Sequence, residues 1–187
     1  MKRRSKTEKR KPRWKGELRK GAKFVVFFAV LFSFAYVVLS FTPLNRFLGL
    51  TAGTTSQLVL KAAGVETTLT ILQNGNYALE SSSFVAELND ACAAIIEIAV
   101  LFGIVFASFE RKLSERIKGF FFGMVLLLVL NPIRITASIL FLHPFVHDVL
   151  FRITLVVTIV GFYAVWYYGA EGLKSLKKDA EKALSRR

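Results

Sequence analysis

The sequence predicts an all-α polytopic membrane protein: four transmembrane helices, a small extracytoplasmic β-hairpin and an interfacial helix. Three observations carry this expectation. The chain of 187 residues is 53% apolar with a mean hydropathy of +0.47, yet its formal net charge is +13. Such values coexist only where apolar and basic residues are segregated along the chain, and here four apolar runs alternate with basic or polar segments. Lys and Arg also fall mostly into three of those segments. This composition excludes a disordered chain and an ordinary cytosolic enzyme. A single cysteine, Cys92, excludes an internal disulfide and a cysteine-based zinc cluster.

The first element is a basic tail, 1–23, with 12 Lys/Arg against Glu8 and Glu17. It reads as an orientation signal that also contacts anionic lipid. Apart from Trp14 it lacks the interleaved aromatics of a nucleic-acid-binding tract, so no nucleic acid partner is expected. Residues 24–41 follow without a charge, and 18 residues at about 1.5 Å each approach the roughly 30 Å of a bilayer core. The run is too long for a signal-peptide core and no small-residue cleavage site follows it, so it reads as an uncleaved anchor.

Residues 42–90 form an extracytoplasmic segment in two parts. Pro43 to Ala63 is too polar to span and suits a helix lying in the interface. In Thr67 to Leu88, Leu69 and Ile71 alternate with polar residues, Asn74-Gly75 signals a two-residue turn, and Tyr77 and Leu79 alternate again. This predicts a hairpin, with a further strand at Phe84 to Leu88. The remaining spans are expected at about 91–109, 120–142 and 149–168, the last flanked by Trp166, Tyr167 and Tyr168 as at a headgroup boundary. Residues 24–169 thus make one membrane-embedded domain, and 170–187 a second basic tail.

Positive charge sets the orientation. The N-terminal tail carries 12 Lys/Arg, the loop Glu110 to Gly119 carries 4 and the C-terminal tail 6, so 22 of 26 lie on one side. The exceptions are Arg46, Lys61, Arg134 and Arg152. Both termini and that loop are therefore expected in the cytoplasm of a multi-pass cell-membrane protein.

Polar residues inside spans are costly and are functional candidates. Cys92 opens the second span at the outer face. It is either a small buried hydrophobe or, at a helix N-terminus, a thiol whose ionised form is favoured. Arg134 lies roughly 22 Å into the third span, where insertion costs about 2.5–3.5 kcal/mol. Its side chain leans back toward the cytoplasm, which disfavours snorkelling and calls for a partner or an aqueous pocket. Asn131 and Ser138 share its face, and Pro132 frees a backbone carbonyl. His147, before Asp148, opens the fourth span at the depth of Cys92; His143, before Pro144, suits a turn. No acidic motif accompanies the two histidines, so no metal is expected. Glu97, five residues after Cys92, should lie about 140° around a helix from the thiol, and it suits an ion pair with Arg134 or Arg152. Arg152 is either structural or a supporting site residue.

A thiol, a guanidinium and an imidazole at one membrane face suit acyl transfer through a thioester. His147 would take the thiol proton and return it to the leaving amine, while Arg134 holds the oxyanion. No cofactor is needed. Ala91-Cys92-Ala93, Asn131-Pro132-Ile133-Arg134 and Val146-His147-Asp148, in this order and topology, resemble the exosortase/archaeosortase family of membrane cysteine transpeptidases. The resemblance covers about Thr67 to Tyr168 and is nearest to a minimal archaeosortase-like core. It implies a catalytic Cys92, Arg134 and His147, with Asn131 and Arg152 supporting. Some archaeal members carry a second Arg in place of the His, which makes Arg152 a reserve candidate. It also implies substrates that are exported proteins with a C-terminal tripartite sorting signal, cleaved near a short motif and transferred to a membrane lipid. Many members have Cys-Ser-Gly where this chain has Cys92-Ala93-Ala94. The competing reading is a non-enzymatic membrane assembly or scaffold protein, in which Arg134 and Glu97 form a packing pair. A channel or transporter fits less well, because no inverted repeat or paired broken helices are evident.

Overall fold

The computed structural model describes residues 13–89, 92–141, 149, 152–153 and 156–169. The protein is mostly helical, with one small antiparallel sheet. In chain order the elements are α1 (Arg13–Phe41), α2 (Leu44–Ala62), β1 (Thr68–Ile71), β2 (Tyr77–Glu80), β3 (Val85–Leu88), α3 (Ile95–Phe106) and α4 (Leu113–Phe141). A final helical stretch, α5, is described over 156–169 and carries a π-helical turn at Val156–Val160; 149 and 152–153 before it are also helical.

Among the described residues, two helices are long and apolar enough to cross a membrane, Gly16–Phe41 and Leu113–Phe141. Only 6% of the most apolar stretch of α1 is buried, and Val25, Val26, Phe27, Val30, Phe34 and Val37 are exposed, unlike the side chains of a core helix in a soluble protein. α1 packs along α3, α3 packs on α4, and α4 packs on α2. The expected second span is shorter as a helix than its apolar run. α3 has 12 residues, about 18 Å, because the chain turns at 92–94 before it and leaves the helix at Ala107. α4 begins earlier than expected, at Leu113, so Arg116 and Lys118 lie on the helix and not in a loop. It continues through Pro132.

α2 occupies the segment expected to be an interfacial helix, and it is also a packing element. Its buried stripe of Gly49, Ala52, Gly53, Ser56 and Leu60 carries the sheet. A Cβ on Gly53 would stand 2.7 Å from Leu69 Cδ1, so a larger residue here would displace the leucine tips that seat the sheet on α2. Gln57 Nε2 donates to Thr67 O at 2.6 Å and ties the helix to the strand entry.

The sheet has the order β1-β2-β3, with Leu69 opposite Leu79 and Leu79 opposite Ala86. The first turn differs from the expected two-residue loop. Gly75 N–H donates to Leu72 O and Leu72 N–H to Asn76 O, which closes a three-residue loop with Gly75 left-handed at φ 84°. The Asn74 side chain accepts from Asn76 N–H at 3.0 Å and favours this wider form.

Two buried clusters result. One joins α2, the sheet, Cys92 and the α4 residues Ile135 and Ile139. The other joins Ala94, Ile98, Leu101 and Val105 to Leu127 and Ile159. Residues 92–94 sit where the clusters meet. Gly119 and Gly123 on α4 bring α5 close: a Cβ on Gly123 would lie 2.8 Å from Phe162 and 2.9 Å from Leu101, and one on Gly119 would overlap the Trp166 indole.

Candidate functional site

Cys92 lies in a turn three residues before α3 and not in the helix's first turn, which corrects the expectation that it opens a helix. The turn is held from two sides. Cys92 N–H donates to Asn89 O at 2.8 Å and to Asn89 Oδ1 at 3.2 Å. Cys92 O accepts from Asn131 Nδ2 of α4 at 2.6 Å, a bond between segments 39 residues apart. Ala94 completes the turn in the left-handed conformation, φ 58°, the one non-glycine with positive φ among the described residues. A Cβ in this region costs roughly 1–2 kcal/mol, and surrounding structure must hold it. Asn131 and the burial of Ala94 in the bundle core supply that hold.

Three residues beyond Asn131 on α4, Arg134 forms an ion pair with Glu97 of α3. Their side chains are 9% and 2% exposed. Water therefore screens the pair little. Of the two partners the sequence allows Glu97, Arg134 is the one it takes. Ser138 Oγ donates to Arg134 O at 2.9 Å. Asn131, which holds Cys92 O, thus places the Cys92 turn beside the α4 face that carries this pair. Cys92 itself is 8% exposed.

Of the predicted site residues, Cys92, Asn131 and Arg134 are thus brought together. Arg152 is exposed and makes no hydrogen bond or ion pair with the cluster among the described residues. His143, His147 and Asp148 lie outside the described residues. Among the described residues no three of His, Cys, Asp and Glu converge as metal ligands.

The sequence reading missed Asn89 and the cleft beside it. The signal for Asn89 is its spacing: an Asn three residues before a residue whose N–H needs an acceptor is a turn former. The cleft, of about 160 Å³, opens next to the Cys92 turn between Arg46, Asn74, Asn76, Tyr77, Asn89 and Ala93. On its rim Glu87 Oε1 accepts from Asn76 Nδ2 at 2.7 Å and Asn74 Nδ2 at 2.9 Å. These bonds hold its carboxyl below the usual carboxylate range.

At the other end of the helices, Tyr167 OH donates to Glu110 at 2.6 Å and Lys20 approaches the same carboxylate at 3.7 Å, which together lower the Glu110 carboxyl. Ser108 Oγ and Tyr163 OH, 2.8 Å apart, link the end of α3 to α5. Compared with known proteins, the chain matches no family model, no curated protein and no solved structure.

Proposed function

We propose that the chain is a membrane-embedded cysteine peptidase and transpeptidase of the exosortase/archaeosortase kind. It would cleave C-terminal sorting signals of exported proteins and pass the new C-terminus to a membrane lipid. The observation that carries this reading is the Asn131 bond to Cys92 O. Through it, α4 fixes the thiol's turn beside the helix face that bears Arg134. Ala94 adds support, since the left-handed conformation favours glycine and many family members carry glycine at this position. In this reading four spans cross the cell membrane with both termini inside, and the 12-residue α3 crosses together with its flanking turns.

Cys92 Sγ attacks the scissile carbonyl carbon. The thiol proton passes to His147, a role that rests on the resemblance alone, and Arg134 balances the developing oxyanion. The C–N bond then breaks, the amine takes the proton, and a thioester remains. A lipid nucleophile displaces the thiolate and restores Cys92. The test is co-expression with an exported reporter that bears a tripartite C-terminal tail. Cys92→Ala and Arg134→Ala should each abolish processing while the protein stays in the membrane; normal processing by Cys92→Ala ends the peptidase reading.

The buried Glu97–Arg134 pair favours the second reading, a membrane assembly or scaffold protein. Exchanging the charges, Glu97→Arg with Arg134→Glu, separates the two. A scaffold regains folding and function and tolerates Cys92→Ala, whereas the peptidase regains folding without processing.

A further inference from the structure

At the corner between α1 and α2 a cation, two hollows and an apolar surface meet. α1 ends at Phe41, and Thr42 and Pro43 turn the chain into α2. The corner is tied down: Thr42 Oγ1 donates to Val38 O at 2.6 Å, and Asn45 N–H donates to Thr42 O at 3.1 Å. A hollow of about 450 Å³ opens there between Ser40, Phe41, Pro43 and Arg46. Arg46 also lines the cleft beside the Cys92 turn, so it borders both. It makes no hydrogen bond or ion pair among the described residues. Ser40 Oγ, on the wall of the hollow, is buried and has no hydrogen-bond partner among the described residues. The nearest described carboxylate of the cleft, Glu87 on its rim, is already held by Asn74 and Asn76. An anion is therefore better seated on the α1 side of Arg46.

The surface around this cation is apolar. Phe41 and Phe47 are 83% and 63% exposed, and Leu44, Leu50 and Leu58 are exposed as well. At about 100° per residue, Leu44, Phe47, Leu50 and Leu58 share the face of α2 opposite its buried stripe, and Arg46 falls on the border between the two faces. A cation bordered by bare apolar side chains suits an amphiphile, with an anion for the guanidinium and alkyl chains for the rings. A soluble anion would leave the apolar face in water, and a neutral lipid would leave the cation unmatched.

We propose that Arg46 and the hollow beside Ser40 bind the phosphate of an outer-leaflet phospholipid, with its acyl chains against Phe41, Leu44 and Phe47. The site rests on the membrane placement of α1 and α2 in the reading above and not on Cys92 as a nucleophile. The guanidinium fork matches two phosphate oxygens, and the Ser40 O–H supplies a further donor. Because Arg46 borders both hollows, the group esterified to that phosphate reaches toward Asn74, Asn76 and Tyr77 in the cleft.

The test uses the full-length protein purified in dodecyl maltoside. It is titrated with dioctanoyl phosphatidylglycerol, with dioctanoylglycerol and with inorganic phosphate. Backbone hydrogen exchange across residues 40–50 reads the site itself, apart from any lipid on the basic tails. The phospholipid should slow exchange there at concentrations at which the other two do not. Arg46→Gln should raise the phospholipid concentration needed by about tenfold, and Arg46→Lys by less, since it keeps the charge and loses the fork. Lys61→Gln removes the other Lys or Arg of the described segment 42–89, which lines neither hollow, and should change nothing. Protection by dioctanoylglycerol equal to that by the phospholipid, or protection that survives in folded Arg46→Gln, overturns the proposal. Inorganic phosphate that protects as well as the lipid overturns it in favour of a free-anion site. If Arg46→Gln does not fold, Arg46→Lys and the contrast between the two lipids on the wild type decide. Arg46-dependent protection in a protein that processes no tail leaves this site standing and removes the peptidase reading. Processing beside protection that ignores Arg46 removes this inference alone.

Discussion

Replacing Glu97 by Leu, Arg134 by Met, and then both together measures the energetic weight of the bridge between α3 and α4. The Arg134 and Glu97 side chains are 9% and 2% exposed, so little solvent screening is available to a charge whose partner is removed. Breaking a buried pair from one side costs about 3–5 kcal/mol. Arg134→Met should fall at the upper end, because Glu97 Oε2 already lacks a partner among the described residues and Oε1 would then lose its own. The double variant removes both charges and fills the space with apolar atoms, which restores much of the loss. The coupling energy should therefore reach at least about 3 kcal/mol. Chemical unfolding in detergent micelles, followed by circular dichroism, supplies all four corners of the cycle. Single variants that each cost under about 1 kcal/mol, with coupling near zero, would refute the reasoning, since the pair would then behave as a solvated one.

Two further outcomes follow from local geometry. Ala94→Gly relieves a left-handed strain of about 1–2 kcal/mol and gives up a buried methyl worth about 0.8 kcal/mol, so its unfolding midpoint should stay near the wild type, whereas Ala94→Val should lose more than about 2 kcal/mol to overpacking and strain. Equal losses in the two variants would contradict the turn. Glu87, held low by Asn76 and then Asn74, stabilises the hairpin at pH values above the ordinary carboxylate pKa, and that contribution disappears as pH falls through the lowered value. The Asn74 and Asn76 side-chain amide resonances should titrate with a midpoint below about 4.3, the usual Glu value; a midpoint at or above it refutes the assignment.

Much of this architecture is legible in the sequence. The uncharged run of α1, the alternation of Leu69, Ile71, Tyr77 and Leu79, and the strand before Cys92 announce themselves through period and composition. So does the Glu97–Arg134 pair, because two opposite charges in apolar runs have few other partners. The start of α3 is not legible. A left-handed residue is normally announced by glycine, and here it is alanine, so the apolar run reads as helix from Ala91. For the same reason the 140° separation expected between Cys92 and Glu97 assumed a helix that begins only at Ile95. The early start of α4 escapes a count of apolar residues because its first turns carry Glu115, Arg116 and Lys118. The π turn Val156–Val160 lies in an apolar, β-branched run whose sequence carries no mark of a wider helix.

The glycines of α4 constrain how the protein can drift over generations. Phe162 and the Trp166 indole occupy space that the smallest possible side chain at Gly123 or Gly119 would invade. Neither seat can be altered in small steps: the first methyl already collides, and a smaller ring without that methyl leaves a void. At Gly119 the couple is the glycine and the Trp166 indole; at Gly123 it has a third member, because Leu101 would also have to yield before the backbone position could grow. Chains of common descent should therefore show either the glycine with its large ring or a bulkier residue with a small one, and seldom a mixture.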